Sequence, residues 1–295
     1  MSLTESALGD TISEIIACSI IIVRLLKKGT RMLKALVKSI INGLGSELIR
    51  KKANQGSNGR MSESESNKMI EIVRNNTMVA HAGLFSLYHQ ALFCEKHGLA
   101  GDFVECGVWK GGAVGLMALV NLKHGSLRRH IHLFDSFEEI CEPDEEIDGH
   151  RAISEVKMWA KNGGTKGRLV PLKGIYDHRG GPGTLQENEH LLGHTIGYDP
   201  QYIHFHKGWF QHTLPEQHSD IDKIAILRID ADWYASTKIC LENLFHKVIS
   251  GGFVIIDDYG AYDGCRKAVD EFLKSIEKPL FLNYVNSDIR YIIVP

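Results

Sequence analysis

Two strand-length apolar runs near the C-terminal end of the chain each finish on closely spaced aspartates. Residues 224–232 read Ile-Ala-Ile-Leu-Arg-Ile-Asp-Ala-Asp, and residues 251–258 read Gly-Gly-Phe-Val-Ile-Ile-Asp-Asp. Apolar runs of this length with β-branched members read as strands covered on both faces. In open α/β sheets built from such strands, functional groups gather at the carboxyl ends. Asp230, Asp232, Asp257 and Asp258 are therefore expected at one crevice. Four carboxylates in a small volume repel one another, so either some are protonated or a cation sits among them.

The rest of the chain fits that frame. Residues 101–112, Gly-Asp-Phe-Val-Glu-Cys-Gly-Val-Trp-Lys-Gly-Gly, read as a strand, a glycine turn and the approach to a helix over 113–123. Residues 130–135 form a second strand that also ends in an acid, and 201–206 are strand-like. Helical patterns cover 67–74, 78–97, 184–196 and 265–276, and 280–285 with 289–294 form a closing hairpin turned at 286–288. Strand and helix in alternation give an α/β, doubly wound, Rossmann-like sheet, mostly parallel, with a C-terminal antiparallel hairpin. Residues 136–183 are polar and irregular, with one helical piece at 152–161 and a short strand at 168–172. So long an excursion reads as a lid or binding loop.

Charge separates the N-terminal stretch from the remainder. The net charge of the whole is −2, yet residues 1–60 hold ten Lys/Arg against four Asp/Glu. Residues 1–66 read as a basic helical extension and linker, and 67–295 as the main domain. The helical stretch 11–40 is amphipathic. Packing on its own domain or on a second copy of the chain is the preferred reading, with contact to an anionic membrane surface behind it. A homo-oligomer is expected on that reading. The overall charge gives no reason to expect nucleic acid. Six scattered cysteines without a C-x-x-C pair, no long apolar span and no cleavable leader pattern suit the cytoplasm.

The loop at 105–112 lacks the second glycine of the dinucleotide fingerprint and the Gly-Lys-Ser/Thr of a phosphate loop. What remains is a strand ending in Glu105, a glycine turn, and a second strand ending in Asp135. Glu105 suits a positively charged amino group, and Asp135 suits the two hydroxyls of a ribose. S-adenosylmethionine has both features. A simple tight turn is the competing reading of the glycines.

These stretches resemble a known family. The motif at 101–112, Phe-Asp-Ser-Phe at 134–137, Lys-Gly-Trp-Phe-Gln-His-Thr-Leu-Pro at 207–215, Leu-Arg-Ile-Asp-Ala-Asp at 227–232, the run at 251–259 and Gly-Cys-Arg-Lys-Ala-Val-Asp-Glu-Phe at 264–272 all look like the TylF/MycF (macrocin-type) O-methyltransferases. The resemblance runs from about Thr77 to Phe272, leaving out the basic extension and following 138–183 only loosely. It implies a methyltransferase domain that uses S-adenosylmethionine and a divalent metal, usually Mg2+, on a hydroxyl of a small-molecule acceptor such as a sugar of a natural product. It implies metal ligands at Asp230, Asp257 and Asp258. It implies cofactor contacts at Thr77, Met78, Glu105, Gly107, Gly111, Gly112, Asp135, Ser136, Lys207, Gly208 and Trp209. Ala231 stands where the family usually has glycine.

An alcohol needs activation, and a hard cation with a nearby carboxylate base supplies it. Asp230 is the first choice for that base and Asp232 the second, though Asp232 equally fits a partner of Arg228 or a helix cap. The histidine pairs His130/His132 and His204/His206 each share a strand face, but no third ligand completes a zinc set. Two other readings compete: a non-catalytic S-adenosylmethionine-binding or scaffold protein docked through its N-terminal helix, and a metal hydrolase. The intact acid cluster speaks against the first, and the Glu105 and Asp135 pattern against the second.

Overall fold

Seven strands form one sheet in the order β3-β2-β1-β4-β5-β7-β6. The computed structural model describes residues 63–295. The strands are β1 (Asp102–Cys106), β2 (Ile131–Asp135), β3 (Ile203–Lys207), β4 (Ile224–Ile229), β5 (Val248–Ile256), β6 (Asn283–Tyr284) and β7 (Arg290–Ile293). β1 to β5 run parallel, and β7 is antiparallel to both β5 and β6. Strand order reverses between β1 and β4, so the loops after these two strands diverge and leave a crevice at their carboxyl ends.

The register explains why both faces are apolar. Phe103, Ile226 and Phe253 align across β1, β4 and β5 and enter one core with α1 (His81–Lys96) and α2 (Gly112–His124). Their neighbours Val104, Leu227 and Val254 enter the other, with α5 (Phe210–Gln217), α6 (Tyr234–Leu244) and α7 (Asp263–Ser275). Between β2 and β3 lie α3 (Gly149–Trp159) and α4 (Leu185–Glu189), the latter continuing as a π-helical stretch over His190–Ile196.

The expected α/β sheet with its closing hairpin is present. The strand expected at 168–172 is not: isolated bridges Cys141↔Pro171 and Asp144↔Lys166 pin that stretch instead. α5 and α6 have no counterpart in the sequence reading, because His212, Pro215 and the polar residues of 234–238 obscure their apolar faces. Residues 65–295 form one compact unit. The expected helix over 11–40, with its membrane or subunit contact, lies outside the described residues. Among the described residues, no helix is long and apolar enough to cross a membrane.

Candidate active site

The ladder continues past the strand ends and brings the acids together. Asp230 N–H donates to the Cys106 carbonyl at 2.8 Å, and Asp257 N–H to the Ile229 carbonyl at 2.9 Å. Asp230 and Asp257 thus sit side by side, one step beyond the last paired residues Ile229 and Ile256. One carboxylate oxygen from each of Asp230, Asp257 and Asp258 lies within 4.8 Å of the others. The close approach of β1 and β4 requires Gly107: its φ is 84°, and a Cβ there would strike the Asp230 carbonyl oxygen.

Arg228 lies behind this cluster. It is 2% exposed, and its Nη1 lies 2.5 Å from Glu105 Oε1 and 2.8 Å from Asp230 Oδ2, while Nη2 lies 2.5 Å from Asp257 Oδ1. The expected Arg228–Asp232 pairing is therefore corrected, since the guanidinium is taken up by the other three acids. Asp232 does not cap α6 either; its N–H donates to Asp258 Oδ2 at 3.2 Å. Its φ of 55° is left-handed, as are those of Trp109 (45°) and Phe137 (52°). All three lie in the loops at the carboxyl ends of the parallel strands, where backbone strain accompanies function.

Removal from water and mutual repulsion act on these acids together. Burial, then the neighbouring carboxylates, push Asp232 and Asp258 well above the usual carboxylate range. Burial also raises Asp257, to about 7, and Glu105, to about 8, each against the pull of Arg228. A cluster that resists its own ionisation gains most from a bound cation. The donor set, three carboxylates beside an open cavity, fits a hard oxygen-seeking cation.

A cavity of about 450 Å³ opens above the acids. Met78, Gly107, Asp135, Ser136, Gly208 and Trp209, all among the expected cofactor contacts, line it. Thr77, Gly111, Gly112 and Lys207 are not in its wall. Thr77 Oγ1 accepts from Val79 N–H. Gly111 and Gly112 pack against Asn188 and Asn76, and Lys207 faces Glu138 at 3.6 Å. Glu105 also stays out of the wall, 1% exposed, yet its Oε2 is buried without a hydrogen-bond partner. That orphaned acceptor fits the amino group expected there. Asp135 already accepts from Val108 N–H at 2.7 Å, Trp109 N–H at 3.3 Å and Phe137 N–H at 2.7 Å, which leaves it little free capacity for ribose hydroxyls.

The contribution of α3, His178 and Tyr262 to the lining was not foreseen. Tyr262 OH donates to Glu155 Oε2 at 2.6 Å, and Arg151 Nε to Glu155 Oε1 at 2.9 Å. Trp159 stacks on His178, with centroids 4.1 Å apart at 19°. The three α3 positions lie four residues apart in sequence, a helical spacing that places them on one face, but nothing local says which face meets the cavity. The histidine pairs make no metal site among the described residues. His130 Nδ1 and His204 Nε2 are 2.7 Å apart, and His132 Nδ1 and His206 Nε2 are 3.0 Å apart, so the rings bond one another.

A family model described as macrocin-O-methyltransferase (TylF) matches residues 23–161 and 194–287. The chain belongs to that family. It is an S-adenosylmethionine-dependent O-methyltransferase, and the scaffold and hydrolase readings fall away. The match begins earlier and ends later than the motifs indicated, and its gap falls at 162–193, within and just beyond the expected acceptor loop. The chain is 34% identical over 197 residues, 67% of each protein, to 8-demethyl-8-(2,3-dimethoxy-alpha-L-rhamnosyl)-tetracenomycin-C 4'-O-methyltransferase of Streptomyces olivaceus. It is 32% identical over 198 residues, 67% of this chain and 70% of the relative, to mycinamicin III 3''-O-methyltransferase of Micromonospora griseorubida. The solved structure of the O-methyltransferase NovP superposes with a TM-score of 0.61 at 27% identity, covering 79% of this chain and 99% of that one.

Proposed function

We propose that this enzyme methylates a hydroxyl of a sugar or sugar-bearing natural product, with a divalent cation, Mg2+ or another, held by Asp230, Asp257 and Asp258. The observation that supports this most is the meeting of three carboxylate oxygens within 4.8 Å at a cavity that Gly107 of the glycine loop also lines. A relative named for a rhamnosyl-bearing acceptor supports a sugar. So does the lining, in which the Trp159–His178 stack occurs with the polar Arg151, Glu155 and Tyr262.

In this reading Glu105 Oε2 accepts from the cofactor's amino group, and Met78, Gly107, Ser136, Gly208 and Trp209 enclose the rest of the molecule. A cation held by Asp230, Asp257 and Asp258 would supply Lewis acidity that lowers the pKa of an acceptor hydroxyl. Asp232 takes the proton. It lines the cavity and its carboxylate makes no ion pair among the described residues, whereas Asp230 is held by Arg228 at 2.8 Å and is the weaker base for it. This reverses the order of choice that the sequence suggested. The reaction breaks the sulfur–methyl bond and forms an oxygen–methyl bond, the methyl passing in line between two held reactants. Such positioning contributes roughly 7–11 kcal/mol to lowering a barrier.

A crystal soaked with S-adenosylhomocysteine and manganese tests the reading. Anomalous density for manganese between Asp230, Asp257 and Asp258, with the homocysteine amino group at Glu105, is the expected result. Manganese elsewhere, or none, removes the metal assignment.

A further inference from the structure

Arg228 is the only charged side chain in β4, whose other five residues are apolar. It stands directly opposite Glu105 on β1. Asp230 follows it by two residues, and the register carries Asp257 alongside Asp230, so all four side chains leave the same face of the sheet. That face is otherwise apolar, built from Phe103, Ile226, Phe253 and Ile255. A cation placed there has no other ion-pair partner among the described residues.

Each acid gives Arg228 a single oxygen. Glu105 offers Oε1, Asp230 Oδ2 and Asp257 Oδ1. The second oxygen of each makes no hydrogen bond among the described residues: Glu105 Oε2 is buried without a partner, while Asp230 and Asp257 line the cavity. One guanidinium therefore grips one oxygen each of a cofactor-side acid and of two cation-side acids, leaving the second oxygen of each without a hydrogen bond among the described residues. A planar fork with two terminal nitrogens can do this; an ammonium on a flexible stem cannot hold three acids at fixed angles.

We propose that Arg228 is a positioning residue that ties the cofactor acid Glu105 to the cation-binding acids Asp230 and Asp257, so that S-adenosylmethionine and the divalent cation each tighten the binding of the other. The inference rests on the cation reading above. Binding of either ligand fixes an acid whose other oxygen is anchored on Arg228. The ordering needed for the second ligand is then already in place. Linkage makes the effect equal in both directions.

The experiment titrates manganese into the full-length protein by calorimetry and by electron paramagnetic resonance, with and without saturating S-adenosylhomocysteine. The reverse titration is run with and without manganese. In the wild type each ligand is expected to raise the affinity of the other by the same factor. Arg228→Lys keeps the charge and loses the fork. It is expected to fold, to bind manganese roughly 10- to 100-fold more weakly, as for a lost outer-shell partner, and to show a linkage factor near one. If that variant fails to fold, Glu105→Gln/Arg228→Met removes one charge of each sign from the buried pair and is expected to show the same loss of linkage. A folded Arg228 variant with wild-type affinities and wild-type linkage overturns the inference while leaving the cation reading standing. A wild type that binds manganese and S-adenosylhomocysteine independently also overturns it. A wild type that binds no divalent cation overturns both.

Discussion

Trp109 Nε1 donates to the carbonyl oxygen of Gly181 at 3.1 Å, joining the loop after β1 to the tip of the long excursion before α4. The adjacent Lys110 Nζ repeats the link to the Gly180 carbonyl at 2.9 Å. Gly180 and Gly181 have φ of 83° and 88°, so the tip turns back through conformations that favour glycine. The excursion supplies Tyr176, His178 and Arg179 to the cavity wall, all within the stretch that the family model does not match. The excursion is thus moored to the glycine loop after β1.

Trp109→Phe keeps an aromatic side chain but loses the indole N–H that makes the mooring hydrogen bond. Loss of one such bond costs about 0.5–1.5 kcal/mol. The acceptor KM is expected to rise by about 2- to 10-fold, and limited proteolysis should cut faster within residues 162–183. Saturation with cofactor and acceptor should slow that cutting in the wild type. Cutting at the same rate in all these states would count against closure of the excursion over the acceptor.

The acid pairs showed in the sequence because each ends a strand-length apolar run, and strand ends can be located from one segment alone. The role of Arg228 did not show, although its charge inside an apolar run was the signal. Which acids it meets depends on the register of β1, β4 and β5, and no single segment holds that information. Sequence proximity makes Asp232 fit a partner of Arg228 as well as a helix cap or a base, but a left-handed turn at Asp232 takes its side chain off the strand's alternation. Glu155 and Tyr262 meet across 107 residues, and neither belongs to a motif that would have singled it out. The spacing of the histidine pairs alone would allow a zinc chelate. Packed together across β2 and β3, they satisfy one another.

His206 gives a pH prediction with a definite sign. It is 7% exposed, stacks on Phe134 with centroids 4.0 Å apart, and bonds His132 and Gln217. Burial lowers its pKa to about 4, with His132 and His204 adding repulsion and Gln217 and Asp220 opposing them. The unfolded side chain titrates near 6.5, so between those values the unfolded chain binds more protons. The contribution of His206 to stability is full above pH ~6.5 and is lost as pH falls toward 4, at up to about 1.4 kcal/mol per unit. Denaturant unfolding of the wild type and of His206→Asn at several pH values isolates it from the acids common to both. The difference between the two proteins should shrink or reverse as pH falls. A difference constant with pH would remove the assignment.

Asp232→Asn tests the base. The amide keeps the shape and cannot take a proton. General-base catalysis contributes about 10²- to 10⁴-fold, so kcat should fall within that range. Manganese and S-adenosylhomocysteine affinities should stay close to wild type, because Asp232 stands outside the group of three carboxylates. A loss of cation affinity as large as the loss of kcat would make Asp232 a ligand instead.

The cation itself is tested by removal. Exhaustive chelation should abolish turnover, and added Mg2+ should restore it. Asp257→Asn removes one charge at nearly constant shape, so it should weaken manganese binding and leave the fold intact. Asp230→Asn should do the same, and the double variant should fall well short of the product of the two single effects, because both residues serve one site. The two substitutions differ in one further respect. Asp257 has a contact of 2.5 Å with Arg228 and Asp230 one of 2.8 Å, so losing the Asp257 charge should disturb the buried guanidinium more. A buried ion that loses a partner costs about 3–5 kcal/mol when nothing replaces it. Arg228 keeps Glu105 and one aspartate in either variant, so the loss in unfolding free energy should fall below that range and be larger for Asp257→Asn. Full turnover after chelation would end the cation mechanism and leave Asp230 and Asp257 as structural acids on Arg228.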